Sequence, residues 1–150
     1  MKTNELVTVL KEQEESLKQF LACSLNKQKA IVQNDIENLH HSLNHEEKII
    51  SQIENNGKKI SSIIEKLAKD YGLELEAVSL SEFLNSMTNK SEIHIKVIIL
   101  LRNSIIDLIS KSSKIKEQNK ILIDHSRNFL RETISVLIGL SKRPLLDRKI

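Results

Sequence analysis

Apolar residues recur along this chain every three or four positions, a spacing that gathers them on one side of an α-helix. In the first segment, about 3–33, Leu6, Leu10, Leu17, Leu21, Leu25 and Val32 form such a stripe, with Phe20 and Ile31 beside it. Gln13, Glu14, Ser24 and Gln28 interrupt it, so this helix is expected to pack more loosely than the next. Asn34-Asp35-Ile36-Glu37 reads as a fresh start. An Asn side chain can accept from free helix amides, and Glu37 can reach back as in a capping box.

From Ile36 onward, steps of three and four alternate through Ile36, Leu39, Leu43, Glu46, Ile50, Ile53, Gly57, Ile60, Ile64, Leu67 and Tyr71. Nine of these eleven positions are apolar, the pattern of a coiled-coil seam. Glu46 and Gly57 are its defects, and Gly57 marks a place where a neighbouring helix could cross closely. Gly72 falls where a C-terminal cap belongs, and Leu73 to Ala77 reads as a connector. Ser79-x-x-Glu82 then opens a short helix to about Met87, broken by Asn89-Lys90-Ser91.

The last helix is predicted from about Ser91 to Ile138, closed by Gly139 and followed by Pro144. Its seam runs Ile98, Leu101, Ile105, Leu108, Ser112, Ile115, Asn119, Leu122, Ser126, Phe129, Thr133, Val136, Leu140. After Leu108 every second seam position is polar. The earlier half has a second apolar face (Ile95, Ile99, Ile106, Ile109), which is expected to be covered by two neighbours. Helices of about 38 and 48 residues would span roughly 57 and 72 Å. The fold class is therefore all-α: an elongated antiparallel helical hairpin, a coiled-coil-like bundle with one short linking helix.

Composition supports one helical domain over 1–150, with 141–150 expected to be a flexible basic tail. The chain has 150 residues with 3 Gly, 1 Pro and no Trp, too few turn formers for a sheet fold. The formal charge of +3 is matched by the last ten residues alone, where Lys142, Arg143, Arg148 and Lys149 outweigh Asp147. The rest is near neutral, without the basic stripe and stacking aromatics of a nucleic-acid binder. The longest apolar run, Val97 to Leu101, is far short of a membrane span, and the charged N-terminal segment lacks an apolar signal core. A lone cysteine, Cys23, has no internal disulfide partner. The expected compartment is the cytoplasm.

No constellation for catalysis, cofactor binding or metal binding emerges. Glu37-x-x-His40 has the spacing of di-iron bundles, but those sites need a second such motif and two more glutamates. His41 and His45 share a face as only two ligands. Lys27 and Lys29 could lower the pKa of Cys23, although a small buried residue beside the seam is the commoner role. Asp124 and His125 lack a serine partner held in a rigid loop. No phosphate loop or nucleophile elbow is present. This is not the sequence of an enzyme.

The interrupted half of the last helix is the candidate partner surface, because its large apolar groups have the least company. It comprises Ile115, Asn119, Leu122, Ser126, Phe129, Leu130, Val136 and Leu137, with Asn119 and Ser126 supplying positioning hydrogen bonds. A structural coiled-coil scaffold would show a seam apolar throughout, and a stalk-like regulator of a secretion ATPase a strongly charged rod. Self-association through the seam stays open.

The order of these segments resembles the FlgN-type flagellar export chaperones, a family of type III secretion chaperones. The likeness runs from Asn34-Asp35-Ile36-Glu37-Asn38-Leu39 through Glu47-Lys48-Ile49-Ile50 to Leu67-x-x-x-Tyr71-Gly72-Leu73. It continues in Ser79-Leu80-Ser81-Glu82-Phe83-Leu84 and in the phrase from Asn119 to Leu130, covering nearly the whole chain. The tail from Ser141 to Leu146 departs from the Tyr/Gly-containing end of many members. The resemblance implies a chaperone that holds the terminal helices of hook–filament junction proteins and delivers them to the export gate.

Overall fold

A computed structural model describes residues 3–87 and 93–139, and among them the chain forms helices with no strand. Helix α1 spans Asn4–Val32, α2 Ile36–Asp70, α3 Leu80–Ser86 and α4 Ile93–Ile138. The expected break at Asn89-Lys90-Ser91, the seam position Leu140 and the basic tail 141–150 lie outside the described residues.

Local chemistry sets the turns. After α1, Asn34 takes a left-handed backbone (φ 52°), which Asn tolerates better than most residues. The amide of Asp35 donates to Ala30 O at 2.9 Å and that of Asn34 to Ile31 O at 3.2 Å, so the helix's last carbonyls are satisfied. The N-cap of α2 is therefore Asp35, one residue later than the sequence suggested, and its carboxylate accepts from the Asn38 amide at 3.1 Å. Gly72 ends α2 in the same manner with φ 64°, and Leu73 N reaches Ala68 O at 2.8 Å. Ser79 caps α3 by accepting from the Glu82 amide at 3.1 Å.

The long antiparallel hairpin is made by α1 and α2 and not, as helix length suggested, by the two longest helices: α4 packs along the other side of α1, while α2 and α4 scarcely meet. Gln13 and Cys23 reach Ile53 and Ser42 across the α1–α2 seam, so those helices are antiparallel. Asn119 meets Ser24, and Gln118 meets Gln28, while Ile98 and Leu101 share a cluster with Leu6 and Leu10. Helices α1 and α4 therefore run parallel. The helix expected to pack loosely is the central one.

Its interrupting polar residues are what let both neighbours approach. Ser16, Cys23 and Ala30 recur every seven residues on the α2 side of α1, all buried and small. Opposite them α2 buries Ser42, Ile49, Asn56 and Ile63, also seven apart. The half of the α2 seam through Leu39, Glu46, Ile53, Ile60 and Leu67 faces α1 as its pattern suggests. From Leu43 to Gly57 the alternate positions are rotated by one residue, to Ser42, Ile49 and Asn56, leaving Leu43 and Ile50 exposed on the flank, while Ile64 is buried as the pattern suggests. The buried line is the one that faces the small residues of α1. Gly57 is consequently no crossing point: a Cβ added there would meet nothing within 4 Å.

Among the described residues packing is densest at one end. There Leu6, Leu10, Ile64, Phe83, Met87 and Ile98 form a core almost fully removed from water, with α3 bridging α2 and α4. Burying one such side chain contributes roughly 1.5–3 kcal/mol. Farther along, the α1 contacts become polar: Gln13 Nε2 to Ile53 O at 3.1 Å, Asn56 Nδ2 to Ser16 Oγ at 3.5 Å, and Cys23 Sγ to Ser42 O at 3.2 Å. Burial is the main cause that pushes the Cys23 thiol up, Glu46 adds to it, and Lys27 opposes it. The second apolar face of α4 is not doubly covered: Ile95 packs against the core, but Ile99, Ile106 and Ile109 are exposed, because α2 stands away.

Two outcomes follow from this packing. Gly57→Ala should stabilise the chain by about 0.5–1 kcal/mol, since a mid-helix glycine with open space loses only backbone freedom. A thermal melt showing no gain would mean that the helix is strained there. Cys23 should react with iodoacetamide at neutral pH at under about one-tenth of the rate in denaturant, because its thiol is buried and kept protonated. Equal rates, followed by mass spectrometry, would show that the α1–α2 seam opens freely.

Candidate functional site

The pairing of Ser24 with Asn119 fixes how far α4 outruns its support. Carrying that offset along, the end of α1 at Val32 lies level with about Arg127, so the last eleven or so residues of α4, roughly 16 Å, extend past the α1–α2 turn. Helix α4 keeps its register there, with Thr133 Oγ1 bonded to Phe129 O of its own helix at 2.9 Å. What changes is that α1 no longer runs alongside it.

The candidate partner residues divide accordingly. Leu122 and Ile115 are half-buried along α1. Asn119 is 4% exposed and donates to Ser24 O at 3.1 Å, so its amide hydrogen bond belongs to the fold. Ser126 lies on the exposed side of the change. Phe129 is 67% exposed, Val136 85% and Leu137 76%, and Leu130 and Ile138 are also open. The structure thus brings Phe129, Leu130, Val136 and Leu137 together as one apolar extension and sets Ile115, Asn119 and Leu122 apart as its root.

A cleft of about 650 Å³ lies where the extension leaves the hairpin. One wall is Ile123, Ser126, Phe129 and Leu130 of α4, and the other is Ile36 and Leu39 of α2, with Ile31 of α1 between them. A second hollow of about 490 Å³ continues from it between α2 and α4, sharing Ile123. Phe20, Ser24 and Lys27 form its floor, Ile50 and Glu46 one side, and Lys116, Asn119 and Lys120 the other. Lys27 Nζ and Glu46 Oε2 pair across the floor at 3.7 Å. The α2 side of this groove was assigned to the seam by periodicity. Rotation of the seam releases Ile36, Leu43 and Ile50 from it, and the signal for that was the heptad of small residues on α1.

The other candidate groups are elsewhere. His41 and His45 border a hollow beside Ser42 and Cys23 on the opposite side of the hairpin, and His40 and Glu37 point to solvent. Among the described residues no three His, Cys, Asp or Glu side chains converge as a metal site would require. Asp124 and His125 are exposed on α4. The arrangement offers apolar surface, hydrogen-bonding groups and a helix-wide groove, which suit recognition of another helix.

Among the described residues no helix is long and apolar enough to cross a membrane. Comparison with curated proteins finds no match, and comparison with solved structures finds none either. The family model described as "FlgN protein" matches residues 1–145, which takes in all four helices and the apolar extension. With a match across nearly its whole length, the chain belongs to the FlgN family, the flagellar export chaperones.

Proposed function

We propose that this chaperone holds the terminal helices of hook–filament junction proteins in the cytoplasm and presents them to the export gate. The observation that carries the reading is the extension of α4, where Phe129, Leu130, Val136 and Leu137 are exposed beyond the end of α1. An amphipathic helix laid against it would cover side chains that water now surrounds, which supplies affinity without dismantling the fold. The cleft at the root, with Ile31, Ile36 and Leu39, offers the same helix a second side to contact.

Ile115, Asn119, Leu122 and Ser126 lead from the buried seam into this surface, and Ser126 is the exposed polar group placed to orient a client. The role is one of binding rather than catalysis. A structural rod fits less well, because α4 has continuous support over its first part only.

The test separates binding from folding. Phe129→Ala should weaken capture of a junction protein's terminal segment by about thirtyfold, or about 2 kcal/mol, with the melting temperature nearly unchanged. Phe83→Ala, at a fully buried core position, should cost about 3–5 kcal/mol of stability. Titration calorimetry and thermal melts on both variants measure the contrast. If terminal segments of filament or cap proteins bind while junction segments do not, the proposed client class is wrong.

A further inference from the structure

Helix α4 carries a second heptad line, one residue on from each position of the line that faces α1. It runs from Ile99 to Leu137 in alternating steps of three and four, with Ile106, Ile109, Ile123 and Leu130 among its apolar members. It therefore stays about 100° round the helix from α1 along its whole length. Its middle borders the hollow between α2 and α4 through Lys116, Lys120 and Ile123. On either side of that middle the line is open: Ile106 is 54% exposed, and Ile109, Leu130 and Leu137 also face water. A helix laid on a flat surface repeats every 3.6 residues, whereas a seven-residue repeat kept over roughly five heptads suits a second helix wound along it.

The charges on the line say which helix that is. Every charged residue on it is a cation: Arg102, Lys116, Lys120 and Arg127. The guanidinium of Arg102 donates to Asn103 Oδ1 at 3.1 Å, but Lys116, Lys120 and Arg127 have no ion-pair partner among the described residues. Glu117 and Asp124 lie beside the line, on the edge turned away from α1, and not on it. A second copy of the chain is a poor occupant. Paired in parallel, each of these cations would meet its own counterpart, and paired antiparallel over the whole line Lys116 would meet Lys120. Like charges so placed repel, and carboxylates in the same places would attract.

We propose that this line docks one long amphipathic helix of a partner protein, apolar at both ends of the contact and acidic between them, with carboxylates opposite Lys116, Lys120 and Arg127. The proposal rests on the reading that the chain binds client helices, and adds a second apolar contact, at Ile99, Ile106 and Ile109, and the charge the partner must carry. From Ile99 to Leu137 the contact is roughly 57 Å long, so the partner helix needs about 38 residues to cover it. A shorter helix would reach the apolar extension or the Ile106 stretch, but not both.

The probes are three designed helical peptides with the matching heptad pattern. One is about 38 residues long with Glu opposite the three cations, one is the same peptide with Lys in those places, and one is a half-length piece that covers only Ile123 to Leu137. With the full chain, fluorescence anisotropy should show the long Glu peptide binding about tenfold more tightly than the half-length piece. It should also bind about tenfold more tightly than the Lys peptide, a gap that narrows as salt is added. Ile106→Gln combined with Ile109→Gln, both at exposed positions, should weaken the long Glu peptide about tenfold. The half-length piece and the melting temperature should be unaffected. A long peptide that gains nothing over the half-length piece, or that ignores the double substitution, overturns the proposal and confines partners to the α4 extension. Equal binding of the Glu and Lys peptides, or no binding by any of the three, overturns it as well. So does a dimer of the unaltered chain in sedimentation that the double substitution breaks, which would give the line to a second copy. Because the peptides are designed, these outcomes do not depend on whether junction proteins prove to be the clients.

Discussion

Everything in this fold depends on α1 being gripped from two sides by helices that hardly touch each other. A helix in that position must bury far more of its circumference than one in a hairpin, so its stripe has to be wide. The sequence meets that demand with two kinds of residue. Large groups such as Leu6, Leu10 and Leu17 fill the space where α3 closes the end or α4 lies alongside. Small ones, Ser16, Cys23 and Ala30, let α2 come close over the remaining length. The polar groups among them are tolerable because backbone carbonyls of the facing helices accept from them, as Ile53 O does from Gln13 and Ser42 O from Cys23.

That arrangement divides the molecule into an anchoring end and a receptive end. The cluster around Phe83, Ile64 and Leu6 excludes water and concentrates the hydrophobic stabilisation at one end of the bundle. Toward the other end the contacts shift to single hydrogen bonds, α2 and α4 are apart, and α4 finally runs on past the end of α1. Under the proposed function, in which the chain accepts and later releases a helix, this gradient is an advantage. Apolar surface can be offered at the receptive end while the fold is secured elsewhere. The exposed Ile36, Ile50 and Phe129 would be liabilities in a protein without partners, and they all lie at or toward that end.

Much of this was legible along the chain. Four helices, the Gly72 cap, the Ser79 cap and the α4 seam from Ile98 to Leu122 follow from spacing and from the chemistry of capping residues, both local properties. The weakening of that seam after Leu108 also marked the part of α4 that the fold leaves most exposed, since polar insertions mark a stripe that cannot be buried as deeply. The register of α2 was not legible. Heptad counting follows Leu43 and Ile50, whereas burial went to the line of Ser42, Ile49 and Asn56, which faces Ser16, Cys23 and Ala30 of α1.

What the sequence alone determined is the set of helices, their ends and their amphipathic stripes, because caps and periodicity act within a few residues of one another. Only the tertiary structure decided which helix became the centre. The stripe of α1 looked interrupted because Gln13 and Ser24 are polar, and a linear pattern cannot tell a solvated polar group from one that meets a carbonyl across a seam. The same choice decided the candidate site. Once α1 takes both neighbours, its end at Val32 leaves α4 unsupported past about Arg127, and the space between α2 and α4 stays open as a groove. Those features arise from the relative lengths and offset of paired helices, quantities fixed only when distant segments pack.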